Sequence, residues 1–393
     1  NSWNESTNQY YDKINYYLLI TGLIFGVIFY DFIGIRFGFT YIDEFFVAIL
    51  AMYSILRRRF SKDFFIFIGI ALFYLLYSFM YPINTHQAIL TDFLIQIKPF
   101  IAFYCAYNLG IYISPRYYKR TRQLCIISAI AMIPVGILGE SFMMSIELHP
   151  SRFATIITIL GTLYYYCSRQ DKHARNIAAI IWSIGLFSLK AKFYGFYVAA
   201  LFLLFIYPNK KFKLSPRIII LLTACLSMVI FIAWEKISYY YIAGAQASSI
   251  YARPYLYMNS ITILNDYFPF GSGFGTYATH ASSQFYSPLY FKYKMYLNYE
   301  IGNKRFLSDT FFPSLAQFGY IGITLFTLFW YRIFQTGKKL RNFKIILLII
   351  FFFVFESTSD ATFTQNRGIY MLILLAMFLN KERYLKAIQK KKI

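Results

Sequence analysis

Long apolar runs alternate with short polar segments along almost the whole chain. A transmembrane helix needs about 20 mostly apolar residues, with a range of roughly 17–25. Twelve runs approach this length, several of them short, near residues 15–34, 41–56, 63–82, 89–113, 123–140, 152–168, 175–189, 193–208, 217–235, 312–334, 343–357 and 367–381. This pattern predicts an all-α polytopic membrane protein with about twelve transmembrane helices.

Lysine and arginine are concentrated in alternate loops between these runs. Examples are "RRRFSK" at 57–62 and "PNKKFKLSPR" at 208–217, whereas the loops near 35–40 and 82–88 contain almost none. Because cytoplasmic loops carry an excess of Lys and Arg, we expect both termini to be cytoplasmic. No small-residue cleavage site follows the first run, so we expect a retained helix and no cleaved signal peptide.

This topology divides the chain into three parts. Residues 1–235 would hold helices 1–9 with short loops. Residues 236–311 would form a large external loop, which we expect to be catalytic. Residues 312–393 would hold helices 10–12 and a basic cytoplasmic tail.

The composition agrees with a membrane location. The 393 residues are 58% hydrophobic and only 14% charged, against about 25% charged residues in a typical soluble domain. The net charge of +22 resides mostly in the short loops, which argues against a nucleic-acid partner. The four cysteines lie in or beside apolar runs without pairing or metal-type spacing, so we expect neither a disulfide framework nor a metal site.

Several cations break the loop pattern. An ionisable side chain inside a membrane segment costs roughly 2.5–3.5 kcal/mol and is a functional candidate by default. The alternative is a side chain that extends to the membrane interface. Together these cations would suit a polyanionic headgroup such as a lipid diphosphate; they are Lys98, Arg152, Lys190, Lys192, Arg253 and Arg367.

The predicted external loop contains "NDYFPFGSGFGTYATH", residues 265–280. Its glycines, Gly271, Gly273 and Gly275, have the spacing G-x-G-x-G, which differs from the dinucleotide-binding pattern. Glycine lets a backbone turn sharply or approach a ligand closely, and the N–H groups could hold an anion. His280 and Asp309 are candidate general bases, and Asp266 is a weaker one.

Four segments together resemble the O-antigen polymerase/ligase superfamily. They are Arg253 … Asp266 … Pro269-Phe-Gly271-Ser-Gly273-Phe-Gly275-Thr, "FPSLAQFGYIG" at 312–322, "SLKAKFYG" at 188–195 and "DFLIQIKPFIAFYCAYNL" at 92–109. The large loop late in the chain is similar as well. The resemblance covers most of the chain, and its specificity comes from the order of the motifs.

The resemblance implies a metal-independent glycosyltransferase of the GT-C type that needs no cofactor. Such enzymes act at the outer face of the bacterial inner membrane on undecaprenyl-diphosphate-linked glycans, as donor and acceptor, among membrane lipids. A polymerase joins repeat units into O-antigen or capsular polysaccharide, beside a chain-length regulator and a flippase. A ligase transfers the finished glycan to lipid A core. The ligase-type His-Asn is replaced here by Ser308 and Asp309, which favours a polymerase.

The resemblance also gives the candidate residues roles. Arg253, Lys192 and Arg152 would stabilise the leaving diphosphate, supported by Lys190, Lys98, Arg367 and the three loop glycines. His280 or Asp309 would accept the proton of the acceptor hydroxyl. A flippase for lipid-linked sugars is the other alternative, although it would be expected to show two similar halves, which this sequence does not.

Overall fold

The computed structural model describes residues 2–37, 41–168, 171–207, 251–340 and 343–391, with isolated positions between 216 and 238. Every element in this part of the chain is helical, which confirms the all-α prediction there. The predicted run at 217–235 and residues 239–250 of the predicted loop lie largely outside the described residues.

The α-helices are α1 (Ser2–Leu23), α2 (Tyr30–Phe37), α3 (Ile42–Leu56), α4 (Lys62–Met80), α5 (His86–Leu109), α6 (Tyr118–Ser145), α7 (Pro150–Cys167), α8 (Ala174–Ile184), α9 (Ala191–Leu201), α10 (Ala252–Asp266), α11 (His280–Gln284), α12 (Pro288–Lys292), α13 (Tyr299–Gly302), α14 (Phe311–Ser314), α15 (Gly319–Lys338), α16 (Phe343–Ser357) and α17 (Asn366–Lys391).

Four helical stretches in the described residues are long and apolar enough to cross a membrane. They are Lys62–Met80, His86–Leu109, Pro115–Ser145 and Phe311–Lys338. A fifth is possible if the bent pair Tyr11–Ile28 and Tyr30–Phe37, which meet at 64°, forms one span. The count of four or five is smaller than the twelve predicted spans.

Helix length explains much of this difference. The α3 and α16 helices each have 15 residues, which is about 22 Å of helix against a hydrocarbon core of about 30 Å. Three further apolar helices, Ala174–Ser188, Ala191–Ile206 and Asn366–Asn380, are also short. An apolar run therefore predicted a helix correctly at these positions but not a helix of full spanning length.

The α17 helix forms the centre of the bundle. Its residues from Ile369 to Leu379 are at most 3% exposed, as expected for a helix that is apolar on every side. Tyr370 donates a hydrogen bond to the Leu19 carbonyl at 2.9 Å, and Asn380 donates one to the Ala106 carbonyl at 3.0 Å. These bonds fix α17 against α1 and α5.

Peripheral helices present apolar side chains outward. On α4, Ile66 and Leu76 are 54% and 62% exposed, and on α6, Ile127 and Ile137 are both 65% exposed. Contiguous exposed apolar surface of this kind marks a membrane or protein contact. With the lengths of the helices, it supports a membrane protein.

Residues 251–311 form a folded helical unit, which we call the cap. Leu256, Ile263 and Tyr290 are fully buried in its own apolar cluster. The hydroxyl of Tyr277 donates a hydrogen bond to the Leu256 carbonyl at 2.5 Å. The cap therefore has a small core of its own, unlike an extended loop.

Candidate functional site

Four of the candidate cations lie in the first turn of a helix. Arg152 is the third residue of α7, Lys192 the second of α9, Arg253 the second of α10 and Arg367 the second of α17. The N-terminus of a helix carries partial positive charge, so a cation there is unfavourable by about 0.3–1 kcal/mol. In contrast, α3 has Asp43 and Glu44 in its first turn. The four cations are therefore not placed to stabilise their helices.

The structure brings these helix starts together. Lys192 and Arg367 both donate to the same oxygen of Asp360, Lys192 at 2.7 Å. Arg152 lies within electrostatic range of Arg367. His149, the N-cap of α7, lies within range of Lys190, Lys192 and Arg367. We call Arg152, Lys190, Lys192 and Arg367 the cation cluster.

Arg253 is linked to this cluster through its helix, α10. Tyr257 follows it by one helical turn, so the two side chains share a face of α10. The Tyr257 hydroxyl donates a hydrogen bond of 2.8 Å to the Thr358 carbonyl, two residues before Asp360. This contact joins the cap to the loop between α16 and α17.

Carboxylates neutralise the cluster. Lys192, whose side chain is 8% exposed, also donates to Glu356 at 2.6 Å, and Arg152 pairs with Asp31. Lys190 has a weaker contact of 3.5 Å with the largely exposed Glu140. A buried ion pair is weak evidence of net stabilisation, but removal of either partner leaves an uncompensated charge.

Burial and the charges in this region shift the pKa values of two side chains. Burial would raise the pKa of Asp360, but attraction by Arg367 and Lys192 holds it well below its usual value. Partial burial and the nearby Lys190 and Arg367 lower the pKa of His149. Asp360 is therefore ionised and His149 neutral at pH 7.

The Arg367 side chain has a donor without an acceptor in the described part of the chain. Arg367 is 5% exposed, and its Nε and Nη2 atoms donate to Gln365 and Asp360. Its Nη1 atom is buried and has no hydrogen-bond partner among the described residues. A buried unsatisfied donor costs about 1–3 kcal/mol, and more when it is charged, so an acceptor such as a phosphate oxygen would be stabilising here.

Two of the three predicted catalytic residues are in direct contact. Arg253 Nη2 lies 3.1 Å from Asp309 Oδ2, with side chains 27% and 39% exposed, and Phe306 lies against the guanidinium. His280 is exposed at the start of α11, and in the described part of the chain it has no hydrogen bond or ion pair with Arg253 or Asp309. Asp266, the weaker candidate, accepts a hydrogen bond of 2.6 Å from Tyr293.

The glycine segment is buried against other backbone segments. Gly271, Gly273 and Gly275 have φ values of 83°, 86° and 71°, which L side chains rarely adopt. A Cβ atom on Gly271 would lie 2.3 Å from Gly319 N, and one on Gly275 would lie 2.7 Å from Ala88 O. Each glycine thus permits both a left-handed backbone conformation and the close approach of another segment of the protein.

All three glycine N–H groups donate to protein acceptors. The acceptors are the carbonyls of Tyr267 and Gln317 and the Asp92 carboxylate, at distances of 2.7, 2.8 and 2.8 Å. This differs from the prediction that these N–H groups bind an anion, because none of them is left open to a ligand. The N–H groups of Gly273 and Gly275 connect the cap to the helices, whereas that of Gly271 forms a turn within the cap.

Asp92 accepts hydrogen bonds at the contact between the cap and the helices. It is fully buried on α5 and accepts hydrogen bonds from Gly275 N at 2.8 Å and Gln317 Nε2 at 2.9 Å. Asn84 donates to the Gly275 carbonyl at 2.6 Å. A single buried carboxylate therefore connects α5, the glycine segment and the start of α15.

Lys98 belongs to a separate group. It donates to Asp43 at 2.6 Å and to Glu44, both in the first turn of α3. Tyr30 lies between this group and the cation cluster, within electrostatic range of both Asp43 and Arg152. Lys98 is therefore paired with two carboxylates of α3 and does not contact the residues of the cation cluster in the described part of the chain.

Sequence reasoning missed the acidic partners and His149. The missed residues share a signal, because they are polar or charged positions within or beside apolar runs, where such residues are rare and functional. They are Asp31, Asp43, Asp92, His149, Glu356 and Asp360.

Searches of protein-family models, curated proteins and solved structures found no match to this chain.

Proposed function

We propose that this protein polymerises undecaprenyl-diphosphate-linked oligosaccharide repeat units into O-antigen or capsular polysaccharide. It would act at the outer face of the bacterial inner membrane as a GT-C-type enzyme with about twelve membrane helices, several of them short. The observation that carries the proposal is the convergence of cation-bearing helix N-termini beside the cap. Helix N-termini and cations together form a strong anion-binding environment.

The cluster would bind the diphosphate of the donor. Arg367 would donate its free Nη1–H to a phosphate oxygen, and Lys192 and Arg152 would offset the remaining charge. Donors that are already positioned for developing negative charge often supply the largest single term in catalysis. The carboxylates Asp360 and Glu356 would keep the cationic side chains ordered in the absence of substrate.

The Arg253–Asp309 pair suggests how the reaction proceeds. When Arg253 turns to the diphosphate, Asp309 is released to accept the proton of an acceptor hydroxyl. That oxygen forms the new glycosidic bond to the anomeric carbon, and the bond from this carbon to the diphosphate breaks. Undecaprenyl diphosphate leaves with the bonding electron pair. General-base assistance of this kind is worth about 10²–10⁴-fold.

Reconstitution tests the reaction class. Purified protein in vesicles would receive undecaprenyl-diphosphate-linked repeat units, and the products would be separated by size. We expect a ladder of lengths that Arg253→Ala abolishes and Arg305→Ala leaves intact, since Arg305 is an exposed cap residue outside the cluster. A ladder of wild-type intensity from Arg253→Ala would refute the role of Arg253, and the absence of any ladder from the wild type would refute polymerisation.

A flippase for lipid-linked sugars is the second candidate. The observation that favours it is the pair of enclosed acid–base groups, Lys98 with Asp43 and Lys192 with Glu356, because intramembrane groups of this type can form ion or proton pathways. The same vesicles distinguish the candidates: a flippase would move intact substrate across the bilayer without a new glycosidic linkage. Transfer only to added lipid A core would indicate the ligase.

A further inference from the structure

An apolar cavity of about 200 Å³ lies between α4, α5 and α15. Its walls include Ile70, Phe100, Leu325 and Phe329, and none of these residues belongs to the cation cluster. Apolar cavities of about 150 Å³ can take up a hydrocarbon the size of benzene. The space is therefore sufficient for part of a lipid chain.

One end of this cavity is closed by the docked glycine segment. Phe274 and Phe318 line that end, with their ring centroids 5.0 Å apart. The Tyr74 hydroxyl donates to the Phe318 carbonyl at 2.8 Å, and the Asp92 contacts fix the same region. A chain would have to enter elsewhere.

The other end is polar and accessible. Arg332 Nη1 and Asp63 Oδ1 are 3.1 Å apart there, and their side chains are 65% and 57% exposed. The six residues before Asp63 include four further exposed cations, namely Arg57, Arg58, Arg59 and Lys62. Clusters of Lys and Arg beside a membrane helix attract anionic lipid headgroups.

This polar end is remote from the cation cluster. Asn380 bonds the end of α5 at Ala106, close to Tyr104, which lines the cavity and is within electrostatic range of Asp63 and Arg332. Arg367 lies thirteen residues before Asn380 on α17, which is about 20 Å of helix. A lipid with its phosphate at the cation cluster would meet the closed end of the cavity.

We propose that the cavity binds one acyl chain of an anionic phospholipid whose phosphate lies at Arg332. By the charge pattern of the loops, this lipid comes from the cytoplasmic leaflet. The site is independent of the proposed glycosyl transfer, and it provides a structural lipid contact between α4 and α15.

Native mass spectrometry of protein extracted from mixed vesicles tests the proposal. The vesicles would contain phosphatidylglycerol, phosphatidylcholine and undecaprenyl phosphate in equal amounts. We expect one retained phosphatidylglycerol per protein, lost in Leu325→Trp and kept in Leu76→Trp, since Leu76 is exposed on α4 outside the cavity. Equal retention of phosphatidylcholine, or retention of the isoprenoid instead, would overturn the proposal.

The ion pair at the entrance provides a second test that does not alter cavity packing. Arg332→Gln should weaken phosphatidylglycerol retention about fivefold, the effect of one cation near a lipid surface. Asp63→Asn should leave it unchanged or strengthen it, because the carboxylate competes with the lipid phosphate. If both substitutions weaken retention equally, the pair is merely structural and the proposed headgroup position is wrong.

Discussion

The Tyr257 hydroxyl donates a 2.8 Å hydrogen bond to the Thr358 carbonyl, across 101 residues of sequence. Through this bond, the cap helix that carries Arg253 is held against the loop that carries Asp360. The proposed catalytic arrangement depends on this alignment, because Arg253 must reach a diphosphate bound at Arg367.

Tyr257→Phe tests the alignment. A single hydrogen bond contributes about 0.5–1.5 kcal/mol, so we expect a small loss of stability and a fall in polymer formation of up to about tenfold. The matched control is Tyr299→Phe, since Tyr299 is 66% exposed on the cap. Equal activity of the two variants would show that the contact does not position Arg253.

Asp360 and Arg367 form a buried charge pair of the cluster, with side chains 16% and 6% exposed. We expect Asp360→Asn to lower the free energy of unfolding by about 3–5 kcal/mol, because it leaves the buried Arg367 without a carboxylate partner. Arg367→Gln should lower it by less, because Asp360 keeps its ion pair with Lys192. The double variant should lose clearly less than the sum of the two. Denaturant unfolding in detergent measures this cycle, and additive losses would contradict direct coupling.

The glycine segment gives a prediction about backbone packing. Gly275→Ala should destabilise the protein by more than about 2 kcal/mol, because the new Cβ would lie 2.7 Å from the Ala88 carbonyl oxygen at a positive φ. Gly69→Ala is the control: no atom lies within 4 Å of a Cβ there, and alanine favours a helix by up to about 1 kcal/mol. Thermal unfolding of the two variants measures the difference, and similar melting temperatures would contradict the docked geometry.

His149 gives a prediction for pH dependence. Burial, together with Lys190, Arg367 and Lys192, lowers its pKa, whereas Asp360 raises it. A bound diphosphate would favour the protonated imidazole of His149, so binding should take up a proton. The affinity of the wild type for farnesyl diphosphate should therefore increase relative to that of His149→Asn as the pH falls from 7.5 to 5.5. The gain is up to about tenfold for each unit by which binding raises the pKa of His149.

The ligand titrates in both proteins, so the ratio of the two affinities isolates His149. Asparagine retains a side-chain oxygen that can cap α7. A ratio that stays constant over this pH range would place His149 away from the bound diphosphate.

Local patterns predicted the helices well. The runs predicted at 63–82 and 89–113 correspond to α4 and α5, which begin after capping residues Ser61 and Thr85. The number of spanning helices was harder to predict, since hydropathy alone cannot distinguish a lipid-facing helix from a buried central one such as α17. Apolar length is necessary for a membrane span but does not establish one.

The candidate site was predicted only in part. Cations within or beside apolar runs were conspicuous in the sequence, and four of them meet in one cluster. Their partners were not predictable, because Lys192 and Asp360 are 168 residues apart and no local pattern pairs them. The same holds for Gly275 and Asp92, which are 183 residues apart, so the glycines suggested a ligand loop when the N–H groups of Gly273 and Gly275 serve to dock the cap.

Equilibrium binding of farnesyl diphosphate, a short-chain analogue of the lipid diphosphate, tests the central claim most directly. We expect the purified wild-type protein to bind it and Lys192→Gln to bind it about 10- to 100-fold more weakly, the effect of one charge-assisted hydrogen bond. Farnesol, which lacks the diphosphate, should not compete. Equal binding of farnesyl diphosphate by wild type and Lys192→Gln, with full competition by farnesol, would contradict the claim that the cation cluster is the diphosphate site.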